Sequence, residues 1–188
     1  MSDAPSWIIE VRKRLETPGK EPLVEGTARR SVMVGLSVDA GELWVLMIRR
    51  FGDRWGSAAF PGSDVEPGED VWTAALRGAE DEIDLPQKAV LRLGELDGVE
   101  DVSGGLVTPC IGALPAKFEA KALGDDVDEV FRVPLSVLNN PQLVEEEIVE
   151  VEGVQRRVRS YHVGGRRIWG LAVYILEDLM ERLQGEPS

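Results

Sequence analysis

A single cysteine and a single histidine stand in this chain of 188 residues, and long apolar runs are missing altogether. Each absence excludes something. One thiol, Cys110, cannot close an internal disulfide, and its place in the apolar run LVTPCIGAL marks it as a buried thiol rather than a nucleophile. No stretch comes near the roughly 20 apolar residues of a membrane-spanning helix. The opening MSDAPSWIIEVRKR lacks the basic-then-apolar order of a secretory signal. The expected setting is therefore a reducing cytoplasm, with no membrane partner. Positive charge is also short: 21 Lys and Arg face 34 Asp and Glu, a net charge of -13. Such a surface does not coat nucleic acid, whose phosphates attract Lys and Arg. An anionic ligand has to be met by local positive charge or by metal. With 43% hydrophobic residues the chain can bury one core. A single domain is expected over 1–188, with an N-terminal helix and lead-in at 1–29 and the core at 30–183.

What is present alternates between helical and strand patterns. Trp7, Val11 and Leu15 recur at helical spacing behind Pro5, predicting a helix over 5–16 that TPGK ends. The segments RSVMVGLSV (30–38) and ELWVLMIRR (42–50) read as a hairpin turning at Asp39-Ala40-Gly41. Further strands are expected at 90–95, 105–114, 145–152 and 155–163, the last two as a second hairpin. A C-terminal helix is expected over 169–183, with Trp169, Ala172, Val173, Leu176, Met180 and Leu183 on one face. No regular crossover helices separate the strands, so an α+β sandwich with a mixed sheet is favoured over a doubly wound fold.

The segment from Gly62 to Leu85, GSDVEPGEDVWTAALRGAEDEIDL, carries the chemistry. A Gly-rich acidic loop runs into a helix expected over 71–84, capped by Asp70 and ended by Pro86. Trp72, Ala75, Leu76, Ala79 and Ile83 share one apolar face; Ala74, Gly78, Asp81 and Glu82 lie on another. Oxygen ligands of this kind suit a hard divalent cation shared with substrate phosphates. The small residues at 74 and 78 are expected to leave room for it. The plainer reading is a solvated acidic helix face, with Arg77 and Asp81 as an ordinary i, i+4 pair.

The same segment resembles the Nudix box, G-x5-E-x7-R-E-U-x-E-E-x-G-U with U a bulky aliphatic, the signature of hydrolases that split nucleoside diphosphates linked to another group. Glu69 and Arg77 fall at its E and R, Asp81 and Glu82 at its E-E pair, and Leu85 at its last U. The resemblance implies a Nudix-type α/β/α sandwich. It also implies metal ligation by Asp81, Glu82 and the Gly62 carbonyl, and support of the loop by Glu69 and Arg77. WGSAAFPG, DEVFRVPLSVL and the IWG-containing C-terminal stretch resemble the coenzyme A pyrophosphatase-like branch, so the likeness spans about residues 30–183. The box is degenerate: Ser63 and Asp84 replace glycines, Ala79 takes a U position, and Gly78 replaces the glutamate that follows the arginine.

From this resemblance the expected activity is cleavage of the diphosphate bond of a nucleoside diphosphate derivative with Mg²⁺ or Mn²⁺. Asp81 and Glu82 would hold the ion, and Glu129 would act on water. The alternative is a catalytically impaired nucleotide-binding or regulatory protein, for which Gly78 is the best evidence. Arg50 and Arg54 are candidates to clamp the diphosphate, set against ordinary solvated arginines. Trp55 is a candidate to stack on a base, set against a core role. His162 is read as structural, and Glu145-Glu146-Glu147 as a solvated strand edge. A homodimer is left open.

Overall fold

The computed structural model describes residues 5–16, 28–52, 57–101, 103–115, 118–151 and 153–185. Helix α1 spans Ser6–Arg14. Strands β1 (Arg29–Asp39) and β2 (Glu42–Arg50) form the expected hairpin, with Asp39 opposite Glu42. Its two-residue turn, Ala40 and Gly41, has φ of 49° and 82°. Two positive φ angles give the turn whose twist matches that of the flanking strands, and glycine accepts the second at no steric cost. Strands β3 (Ala58–Ala59) and β4 (Gly62–Asp64) then lead into helix α2, Val71–Ile83.

Beyond α2 come β5 (Leu91–Glu95), β6 (Val99–Glu100), β7 (Leu106–Ala113) and β8 (Val127–Pro134). The main sheet runs β3-β2-β1-β7-β5, with β4 on β1, β6 on β7 and β8 on β2. The β1–β7 pair is parallel and the other pairs are antiparallel, so the sheet is mixed. A separate antiparallel sheet holds β9 (Val144–Val151), β10 (Val154–Val163) and β11 (Arg166–Trp169). Helix α3, Leu171–Gln184, closes the described chain.

Alternation along the central strands explains the layers. Val34 and Leu36 of β1 and Val45 and Met47 of β2 face one core, shared with Ile8 and Val11 of α1 and Leu176 and Leu179 of α3. Met33, Leu46 and Ile48 face the other, under Val71, Ala75, Ala79 and Ile83 of α2. A sheet buried on both faces reads as nearly continuous apolar runs, as VMVGL and VLMI do. The result is an α+β sandwich of the expected class. None of the described helices is long and apolar enough to cross a membrane.

Strand β8 was not among the expected strands. Its stretch, VDEVFRVP, reads as a loop of acids, yet Val127, Phe131 and Val133 are buried and the strand pairs along β2 from Trp44 to Arg50. Glu129 therefore sits on a strand, opposite Arg49.

Candidate active site

The loop-helix unit is built from local rules. Asp70 caps α2 by accepting from the Thr73 backbone N–H at 3.0 Å and from its hydroxyl at 2.7 Å, which holds its carboxyl below the usual range. At the other end, Asp84 adopts the left-handed conformation, φ 58° and ψ 33°. Glycine is the usual residue there, and Asp is one of the few others that tolerate it. The departure from the box at 84 thus keeps the box's backbone shape.

Arg77 turns back over the loop. Its Nε and one terminal nitrogen donate to the two oxygens of Glu69 at 3.1 and 2.9 Å, and the same terminal nitrogen reaches the Asp64 carbonyl at 2.9 Å. These bonds, with the Glu66 N–H, hold the Glu69 carboxyl below the ordinary glutamate range. Ser63 donates its hydroxyl to the Ala74 carbonyl at 2.7 Å, a second tie between β4 and α2.

Gly78 is explained by proximity. A Cβ placed there would lie 2.3 Å from the Gly62 carbonyl carbon, 2.6 Å from the Gly62 Cα and 2.6 Å from the Ser63 nitrogen. Ala74 and Gly78 are both buried. The expectation that they leave room for a cation is therefore corrected: that space is filled by the backbone of β4. Helix α2 is packed on two sides, against the sheet through Ala75, Ala79 and Ile83 and against β4 through its small residues.

The two neighbouring acids part company, since successive helical residues point about 100° apart. Asp81 is exposed and feels Arg77. Glu82 is mostly covered, accepts from the Gly62 N–H at 2.9 Å and pairs with the Arg50 guanidinium. The Gly62 carbonyl accepts a 3.3 Å bond from Arg30, a residue not singled out in the sequence. Arg54 and Trp55 lie outside the described residues.

Arginine placement follows from β2. A register irregularity between Arg49 and Arg50 breaks the alternation, as a bulge does when it re-aims side chains. Arg50 goes to Glu82, while Arg49 donates to Asp128 at 2.7 Å and lies 3.1 Å from Glu129. Arg166, from β11 of the second sheet, also binds Glu129 and stacks 4.5 Å over the Phe131 ring. The Glu129 carboxyl is accordingly lowered, chiefly by the Arg166 hydrogen bond. Arg166 follows the Gly164-Gly165 turn, a position with no sequence signal of its own.

Elsewhere, Cys110 is buried and desolvation pushes its thiol up to about 12, while Ser31 Oγ lies 3.4 Å from it. His162 is half exposed on β10, 3.1 Å from Glu145. Glu146 and Glu147 pair with Arg157, Arg159 and Arg167.

Among the described residues no group of three or more His, Cys, Asp or Glu is gathered closely enough to hold a metal ion. Two adjacent carboxylates are present. Mg²⁺ commonly takes only one or two carboxylates besides water and phosphate oxygens. Asp81 and Glu82 point apart and Glu82 already pairs with Arg50, so the described acids make no preformed cage, and an ion there would need Glu82 released and oxygens from a substrate or water.

The sequence matches the NUDIX domain family over residues 27–159. It is 34% identical over 130 residues to an uncharacterized Nudix hydrolase, NudL, of Photorhabdus laumondii, covering 69% of this chain and 70% of the relative. The NudL protein of Yersinia pestis is 30% identical over 68% of this chain and 65% of its own length. The alignment thus spans about two thirds of these relatives. Among solved structures, a MutT/nudix family protein from Enterococcus faecalis superposes with a TM-score of 0.54 at 19% identity, covering 97% of this chain and 75% of the other. The NUDIX domain of Shewanella oneidensis NrtR, crystallised with ADP ribose, superposes with a TM-score of 0.53 at 16% identity, covering 86% and 91%.

Proposed function

This chain belongs to the Nudix family, and from that premise we propose that it cleaves the diphosphate bond of a nucleoside diphosphate derivative at the corner formed by Gly62, Arg50 and Glu82. The observation that supports this reading is the Arg50–Glu82 pair beside the Gly62 N–H. There a guanidinium suited to phosphate oxygens meets a carboxylate suited to a cation. Coenzyme A, ADP-ribose and related compounds share the chemistry this corner would recognise.

Asp81 and Glu82, with the Gly62 carbonyl, are the groups that would hold a divalent ion, Mg²⁺ or Mn²⁺, which when bound would neutralise diphosphate oxygens. Arg50 then exchanges Glu82 for a phosphate oxygen, freeing the carboxylate as the substrate arrives. Arg30, next to the Gly62 carbonyl, adds a second positive group. Water attacks one phosphorus, and the other phosphate leaves with the bridging oxygen. Glu129 is a carboxylate at neutral pH, and its hydrogen bond from Arg166 lowers it further below the ordinary glutamate range. A carboxylate so lowered is a weak base, so it would accept a proton from water only once released from its arginines. While held, it positions Arg49 and Arg166.

One observation favours the second reading, a nucleotide-binding protein with impaired cleavage. The box glutamate is absent at Gly78, and the β4 backbone stands where its Cβ would be. Incubating the protein with coenzyme A, ADP-ribose and dinucleoside polyphosphates, with Mg²⁺ or Mn²⁺, and following both product formation and calorimetric binding separates the two. Turnover supports hydrolysis; saturable binding without products supports the second reading; neither one on any compound rejects both.

A further inference from the structure

An open cleft of about 540 Å³ lies on the α2 side of the sheet, bounded by β2, β8 and the segment 118–120. Its volume falls in the range of roughly 300–1,000 Å³ typical of small-molecule sites. Leu46, Phe118, Ala120 and Val130 give it apolar walls, and Arg132 and Glu119 are its charged members. Two ties hold its outer wall to the helix end that carries Glu82. The Leu123 N–H donates to the Glu82 carbonyl at 2.9 Å, and the Lys121 N–H to the Ile83 carbonyl at 3.2 Å. Arg132 of β8 ties the same wall to the sheet instead, donating to the Phe118 carbonyl at 2.5 Å. Leu46 stands four residues before Arg50 on β2, about 13 Å along a strand rising ~3.3 Å per residue.

We propose that this cleft is the subsite for the nucleobase arm of the substrate whose diphosphate is met at Arg50. The proposal rests on the reading above. Phe118 supplies a ring on which a flat base stacks, which is sequence-tolerant because every base has a π-face. The guanidinium of Arg132 has five N–H donors, of which the Phe118 carbonyl takes one, and the others suit ring nitrogens and carbonyl oxygens. One cation and one acid leave the lining without a dominant sign, which suits an uncharged arm better than a second phosphate. The 118–120 wall would couple base binding to Glu82 through the backbone bonds at 121 and 123.

The test compares ADP-ribose with inorganic pyrophosphate, which has the diphosphate and no arm, by calorimetry on the full chain. A120W fills the cleft from its wall, and F118L removes the ring with little change of volume; thermal melts confirm that both fold. ADP-ribose affinity is expected to fall at least roughly tenfold in both variants, with pyrophosphate binding unchanged. Equal ADP-ribose affinity in all three proteins, or an equal loss for both probes, overturns the subsite while leaving the diphosphate corner standing. A wild-type protein that binds neither probe overturns the underlying reading as well.

Discussion

Replacing Gly78 by alanine adds one methyl group to an α-helix, a change that by itself stabilises a helix by about 1 kcal/mol. The structure reverses that sign. The new Cβ would come within 2.3 Å of the Gly62 carbonyl carbon, where ordinary contact begins at 3.4 Å, so α2 must retreat from β4 by about 1.1 Å. The atoms it meets are backbone, paired to β1, and cannot swing aside. Overpacking of this kind costs about 1–3 kcal/mol. The retreat also stretches the Ser63–Ala74 and Gly62–Glu82 bonds, each worth about 1 kcal/mol. The net expectation for G78A is a loss of about 1–3 kcal/mol, read as a lower urea midpoint, and a fall of about 2–4 °C in Tm for each kcal/mol in a chain of this size. G78E, which restores the box residue, should be at least as destabilised and should not gain activity. A G78A protein as stable as the wild type, or more stable, would refute the close packing of α2 on β4 and return Gly78 to an unexplained loss.

Three further outcomes are expected. R50A removes a charge-assisted bond of about 1.5–3 kcal/mol from any phosphate held there, so nucleotide affinity should fall by roughly tenfold or more in calorimetry, and the Tm should fall as well because the mostly covered Glu82 loses its arginine partner. Glu69 has a lowered folded pKa, so the stability it contributes is present above the ordinary glutamate value of about 4.3 and is lost as pH falls through its lower folded value; E69Q should flatten that acid limb in urea titrations at pH 3–5. Cys110, with its thiol pushed up to about 12, should resist iodoacetamide in the native protein at pH 8 and react on unfolding, as mass spectrometry would show.

Much of the fold was legible from short-range patterns. Apolar alternation and the two-residue turn at Ala40-Gly41 placed the first hairpin within a residue or two of its ends. Capping and proline rules placed the helix at 71–84 behind Asp70, one residue longer than the observed Val71–Ile83. Strand β8 was missed because DDVDEVF is dense with acids; only pairing along β2 turns alternate residues inward. The sequence offered Asp81, Glu82, Arg50 and Glu129 as candidates, but not the partners each of them has. Arg30 and Arg166 lacked any local motif, since each reaches its contact from a distant part of the chain.

Periodicity, caps and turns foretold the layered sandwich and the loop-helix unit, because they act within a few residues, and the box motif carried the resemblance to the family that the domain match shows. Folding in three dimensions settles the rest. It shows that β4 comes too close to Gly78 for a Cβ, that Glu82 faces Arg50 while Asp81 faces water, and that Glu129 is held from the second sheet. Those outcomes depend on strand register and on a bulge at Arg49-Arg50, where a shift of one residue sends a side chain to the opposite face.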